Sequence, residues 1–169
     1  MNKIIRRQLT LFVDETFAES IEIIRHNYNP EQSKLIKSHV TLCREDEIQP
    51  LKLVIKNLEE NRSGCISIEF GPPIRFASGS GVFMPHLGEN KPFHELRAFI
   101  LRGVENYPRQ HQPHITLMHP RNSICTDHIF EEIQNISLPQ RILFRKISLL
   151  EQKDGGKWKI LREFDLASF

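Results

Sequence analysis

The string His39-Val40-Thr41-Leu42 returns 75 residues later as His114-Ile115-Thr116-Leu117. Each copy sets an imidazole two residues before a hydroxyl, a spacing that puts both on one face of an extended strand and turns the apolar residues to the other. If the two copies face each other, two imidazoles and two hydroxyls line one cleft. Histidine titrates near pH 6.5, so close to neutrality one ring can accept a proton while the other donates one. A base, an acid and two donors for developing oxyanion charge are the parts that cleave a phosphodiester without a metal. One His-x-Thr alone is an ordinary polar face of a sheet. Many residue types would serve packing there, so recovering both His and Thr at equivalent places needs a further reason.

The elements that must position these groups are also repeated. Residues 5–13 alternate as a strand through Ile5, Leu9, Leu11 and Val13. Thr16-x-x-Glu19 reads as a capping box, and Phe17, Ile21, Ile24 and Tyr28 follow at helical spacing until Asn29-Pro30 stops them. The first His-x-Thr strand comes next, then a helix marked by Ile48, Leu51, Ile55 and Leu58, then a strand from Cys65 to Phe70. The order is β-α-β-α-β. Shifted by the motif spacing, it recurs as a strand from Gly81 to Leu87 and a helix through Phe93, Leu96, Ile100 and Val104. The second motif strand, a helical stripe from Ile129 to Ile136 and a strand from Arg141 to Leu150 complete it. Asp154-Gly155-Gly156 is a turn signal that predicts a hairpin between that last strand and the alternating run Trp158, Ile160, Phe164 and Leu166. Ile74–Ala77 and Ser78-Gly79-Ser80-Gly81 read as a strand and plain turn linking halves of about 1–72 and 73–169, within one domain spanning 1–169.

Composition narrows the partners. At 169 residues, 39% hydrophobic and 26% charged, the chain can bury a normal core. Its 23 Lys and Arg against 21 Asp and Glu are scattered, which favours a small anionic ligand over a grip on duplex DNA. Cys43, Cys65 and Cys125 are far apart with no CxxC spacing, so neither a disulfide framework nor a cysteine zinc site is expected. No apolar run is long enough for a signal peptide or a membrane span, and the expected setting is the cytoplasm, as a monomer.

Other residues invite roles near the motifs. Arg44 and Arg121 follow the two copies and are candidate phosphate neighbours, and Tyr107, with Arg109, could stack a base beside a phosphate contact. His111-x-x-His114 with His119 raises a zinc site, but Pro113 interrupts the pair and no acidic residue sits nearby in sequence, so no metal and no cofactor are expected. His26, His86, His94 and His128 read as surface or helix residues.

The twin His-x-Thr-Leu strings, Pro113 directly before His114, and the closing strands around Asp154-Gly155-Gly156 and Trp158 resemble the 2H phosphoesterase superfamily, within it the 2′-5′ RNA ligase and cyclic phosphodiesterase group. The resemblance spans nearly the whole chain. It implies an α+β, bilobal fold in which antiparallel sheets from the duplicated units form a central groove. It also implies metal-independent phosphodiester chemistry in RNA processing, on 2′,3′-cyclic phosphates, cyclic ADP-ribose phosphate or 2′-5′ linkages at nucleotides or RNA ends. Carried onto this chain, the catalytic residues are His39 and His114 and the phosphate-binding hydroxyls Thr41 and Thr116. The second motif departs from relatives in being followed by Met118-His119-Pro120-Arg121. Nothing resembles a P-loop or a nucleotide-activating lysine, so joining could only be cleavage reversed. The rival reading is a nucleotide- or RNA-binding module that keeps the cleft and turns nothing over.

Overall fold

Two antiparallel sheets, each flanked by helices, share one hydrophobic core in the computed structural model, which describes residues 3–104 and 108–167. In chain order the elements are β1 (Ile5–Phe12), α1 (Glu15–Tyr28), α2 (Pro30–Leu35), β2 (His39–Cys43), a 3-10 turn (Glu45–Glu47), α3 (Leu51–Glu60), β3 (Ile66–Phe70) and β4 (Ile74–Arg75). They continue as β5 (Val82–Leu87), α4 (Lys91–Ile100), β6 (His114–Met118), α5 (Asp127–Gln134), β7 (Arg141–Phe144), β8 (Lys146–Lys153) and β9 (Lys159–Asp165). The first sheet runs β2-β1-β8-β9; the second runs β4-β5-β3-β7, with β6 paired to β5.

The sheets do not follow the two halves of the sequence. The third strand of the first half, β3, joins β5 in the second sheet, and β8 and β9 return from the second half to lie beside β1. The run from Arg141 to Leu150, expected as one strand, is two. Ile142 and Phe144 alternate with more exposed residues in β7, whereas β8 is buried without a break from Ile147 to Gln152, and the division falls at Arg145, where the chain crosses from one sheet to the other.

Two local expectations are corrected. Asp14, not Thr16, caps α1, its carboxylate accepting the Thr16 N–H at 3.0 Å. Asn29-Pro30 ends α1 but also starts α2, because proline lacks only an N–H that the first helical turn would leave unpaired. The cap of α5 is Thr126, whose hydroxyl accepts from Ile129 N–H at 3.2 Å.

Each motif strand pairs with the strand that opens its own half. His39, Val40 and Thr41 oppose Phe12, Leu11 and Thr10; His114, Ile115 and Thr116 oppose Pro85, Met84 and Phe83. Both ladders then slip by one residue, Cys43 opposing Leu9 and Met118 opposing Val82. The extra residue is Leu42 in one strand and Leu117 in the other. Each β-bulge breaks the alternation, so Leu42 with Cys43 and Leu117 with Met118 are buried in succession. Gly81 lets the second ladder close, since a Cβ there would lie 2.5 Å from the Met118 carbonyl and 2.9 Å from the Phe76 ring. Helices cross between halves in the same reciprocal way, α1 against β6 and α4 against β2.

Candidate active site

β2 and β6 are edge strands of their sheets and run beside each other across the seam between the lobes. Their polar faces line one cleft of about 310 Å³, which brings His39, Thr41, His114 and Thr116 together. The apolar partners Val40, Leu42, Ile115 and Leu117 are buried beneath and anchor both strands.

The two imidazoles are held alike. His39 donates from Nδ1 to the Lys37 carbonyl at 2.7 Å, and His114 from Nδ1 to the Gln112 carbonyl at 3.1 Å. Carbonyls only accept, so each Nδ1 carries the proton and each Nε2 is left for the cleft. Aromatic edges fix the ring planes: Phe12 lies 6.2 Å from His39, and Phe83 5.5 Å from His114, both T-shaped.

Burial pushes His39 down to about 4, opposed by the Lys37 carbonyl and reinforced by the positive charges of Arg25 and His114. His114 is lowered as well, chiefly by burial, with the Gln112 carbonyl opposing and Arg44 adding to the fall. Both rings are therefore mostly neutral at pH 7 in the free protein. An entering phosphate, opposite in charge, raises both and supplies the reason for one to take up a proton.

The seam is closed by residues that sequence spacing did not assign. His111, offered in sequence as a metal ligand, is buried and donates from Nε2 to the Thr41 carbonyl at 2.8 Å, with its ring 6.0 Å from that of His114. Arg97 of α4 donates to the carbonyl of Leu42, the bulged residue whose ladder partner is lost, and to Glu47 at 2.6 Å. Glu47 also accepts the Arg44 N–H at 2.7 Å, which fixes the turn leaving β2. Arg25, 2% exposed, reaches the cleft from α1 while bound to Glu22 and to the Ile36 carbonyl. Arg6, Gln8 and Gln152 come from β1 and β8, and Trp158 from the segment before β9. These groups enter from elements distant in sequence, so motif spacing carries no signal for them. Arg44 and Arg121 do line the cleft; Tyr107 lies outside the described residues. Among the described residues, no group of three or more His, Cys, Asp or Glu is arranged to hold a metal ion, and no helix is long and apolar enough to cross a membrane.

A bilobal α+β fold with duplicated His-x-Thr strands around a shared cleft defines a class, and the sequence agrees with it. The profile of the 2′-5′ RNA ligase superfamily matches residues 13–156, so the chain belongs to that superfamily, the 2H phosphoesterases. Among solved structures it is similar to E. coli LigT complexed with NADP+, at TM-score 0.67 and 15% identity over 95% of this chain and 97% of that one. E. coli LigT complexed with 3′-AMP is similar at TM-score 0.67 and 14% identity, over 96% and 98%. TT0787 of Thermus thermophilus gives TM-score 0.64 and 16% identity, over 96% and 98%. At these identities the likeness is one of fold. A search of curated proteins finds no match.

Proposed function

We propose that the protein is a metal-independent phosphodiesterase acting on 2′,3′-cyclic phosphate, cyclic ADP-ribose phosphate or 2′-5′ linked nucleotide substrates. The observation that carries this reading is the pair of imidazoles in one cleft, each with Nδ1 tied to a backbone carbonyl and Nε2 left over. For a cyclic phosphate, one neutral Nε2 takes a proton from water as the water oxygen bonds to phosphorus. The other Nε2–H protonates the departing ribose oxygen as its bond to phosphorus breaks. Thr41 and Thr116 hydroxyls donate to the non-bridging oxygens as charge gathers there. Since the two halves present these groups alike, the pose of the substrate decides which ring starts as base.

Single His39→Ala and His114→Ala variants are expected to lose about 10²- to 10⁴-fold in turnover of 2′,3′-cyclic nucleotides, and the Thr variants less. Undiminished hydrolysis by the double histidine variant would overturn the reading, and nucleotide binding without product would favour the binding module. The pH profile gives a second check. With both rings depressed in the free protein, the kcat/KM bell should peak below pH 6.5. Bound phosphate raises both rings, so the kcat bell should lie at higher pH.

A further inference from the structure

We propose that Glu22 of α1 is a positioning residue for His39: paired with Arg25, it holds the backbone of residues 36–38 from which that ring hangs, the task that Pro113 performs for His114. This rests on the phosphoesterase reading and deepens it, adding to the site a group that acts without touching the substrate.

Each catalytic ring is aimed by a carbonyl two residues before it, Lys37 for His39 and Gln112 for His114, so the aim is only as steady as the backbone between them. In both halves that backbone lies ahead of the motif strand. In the second half the intervening residue is Pro113, whose ring fixes φ and leaves no N–H to satisfy. In the first it is Ser38, with φ free and an N–H on a buried residue. Such a donor must find an acceptor or lose its hydration uncompensated.

Glu22 is that acceptor. Its Oε1 takes the Ser38 N–H at 2.5 Å, and its Oε2 takes Nη1 of Arg25 at 2.9 Å. Nη2 of Arg25 donates in turn to the Ile36 carbonyl at 2.7 Å, and the Val13 N–H donates to the Ser38 carbonyl at 3.0 Å. One ion pair thus grips the chain on both sides of Lys37, whose carbonyl carries the ring. Both partners come from a single turn of α1, and Arg25 is buried, so the clamp is anchored in packed helix.

Two further observations separate this from an ordinary ion pair. The Ser38 hydroxyl, also buried, has no hydrogen-bond partner among the described residues, so what that position contributes is its backbone. The residue of α4 that stands at the motif spacing from Glu22 is Arg97, which cannot accept an N–H and instead holds the Leu42 carbonyl at the far end of β2. Pro113 offers no N–H, and the equivalent helix position is free for that other task.

The test follows kcat and KM for 2′,3′-cyclic AMP together with the nitrogen-15 NMR spectrum of His39 at neutral pH, which reports which ring nitrogen carries the proton. In Glu22→Ala, kcat should fall about tenfold or more while KM moves less than about threefold, and His39 should pass from the Nδ1–H form to a mixture of tautomers. Glu22→Gln, which still accepts the Ser38 N–H, should lose less on both readouts. Adding Ser38→Pro to Glu22→Ala should return the tautomer and most of kcat, because the N–H that needed an acceptor is gone. An unaltered tautomer in Glu22→Ala, or a changed one that Ser38→Pro does not return, would overturn the clamp. Where Glu22→Ala does not fold, Glu22→Gln decides: a second tautomer is expected there, and its absence overturns the clamp. A tautomer that depends on Glu22 in a protein that hydrolyses no cyclic phosphate would instead overturn the phosphoesterase reading and leave the positioning intact.

Discussion

His111 shows how one buried ring makes the whole site sensitive to acid. Only 5% of it is exposed, and burial, with Arg97 adding to it, pushes its imidazole down to about 4 against the Thr41 carbonyl. Its folded value lies below the unfolded value near 6.5, so its contribution is complete above pH 6.5 and drains away as pH falls toward 4. Between pH 7 and 4.5 urea unfolding should record a loss of about 2 kcal/mol from this residue. His111→Gln, which keeps an N–H for the Thr41 carbonyl, should lose correspondingly less over the same interval; an unchanged loss would assign the acid sensitivity elsewhere. At this scale the four motif residues were legible because the sequence states them twice. Arg25, Arg6 and Trp158 were not, since each reaches the cleft from an element whose own pattern speaks only of packing.

Among elements, β2 depends on α4 more than its own ladder suggests. Its bulge frees the Leu42 carbonyl, and Arg97, itself 2% exposed, satisfies that oxygen while neutralising Glu47. Removing one member leaves a buried charge and an orphaned carbonyl, so Arg97→Met should destabilise the protein by about 3–5 kcal/mol in urea unfolding. Adding Glu47→Leu should recover part of that loss, because the unpaired carboxylate goes with it; no recovery would mean that the carbonyl contact dominates. Apart from α2 and the division of β7 from β8, element order was readable from periodicity, and so were most boundaries to within a few residues. The bulges were not, since Leu42-Cys43 and Leu117-Met118 are simply apolar pairs until a partner strand defines a register. The split of β7 from β8 was not legible either, since β8 is buried on both faces and its apolar run continues that of β7.

For the molecule as a whole, the duplication is visible in sequence but its halves are not separate bodies. Each sheet takes strands from the opposite half, the second sheet β3 and the first sheet β8 and β9. Fragments 1–72 and 73–169 produced separately should therefore lack the cooperative unfolding transition of the intact chain, and a folded fragment of either kind would contradict the strand exchange. The sequence repeats local order and is silent on which half's edge a third strand will choose, a choice made by long-range burial. The return of β8 and β9 to β1 also has a temporal consequence. A ribosome releases β1 long before the residues that must lie beside it, so the first sheet stays open on one flank until β8 and β9 emerge. The cleft wall carried by β2 hangs from that same sheet, so the first motif settles into place only after strands more than a hundred residues further along have joined it.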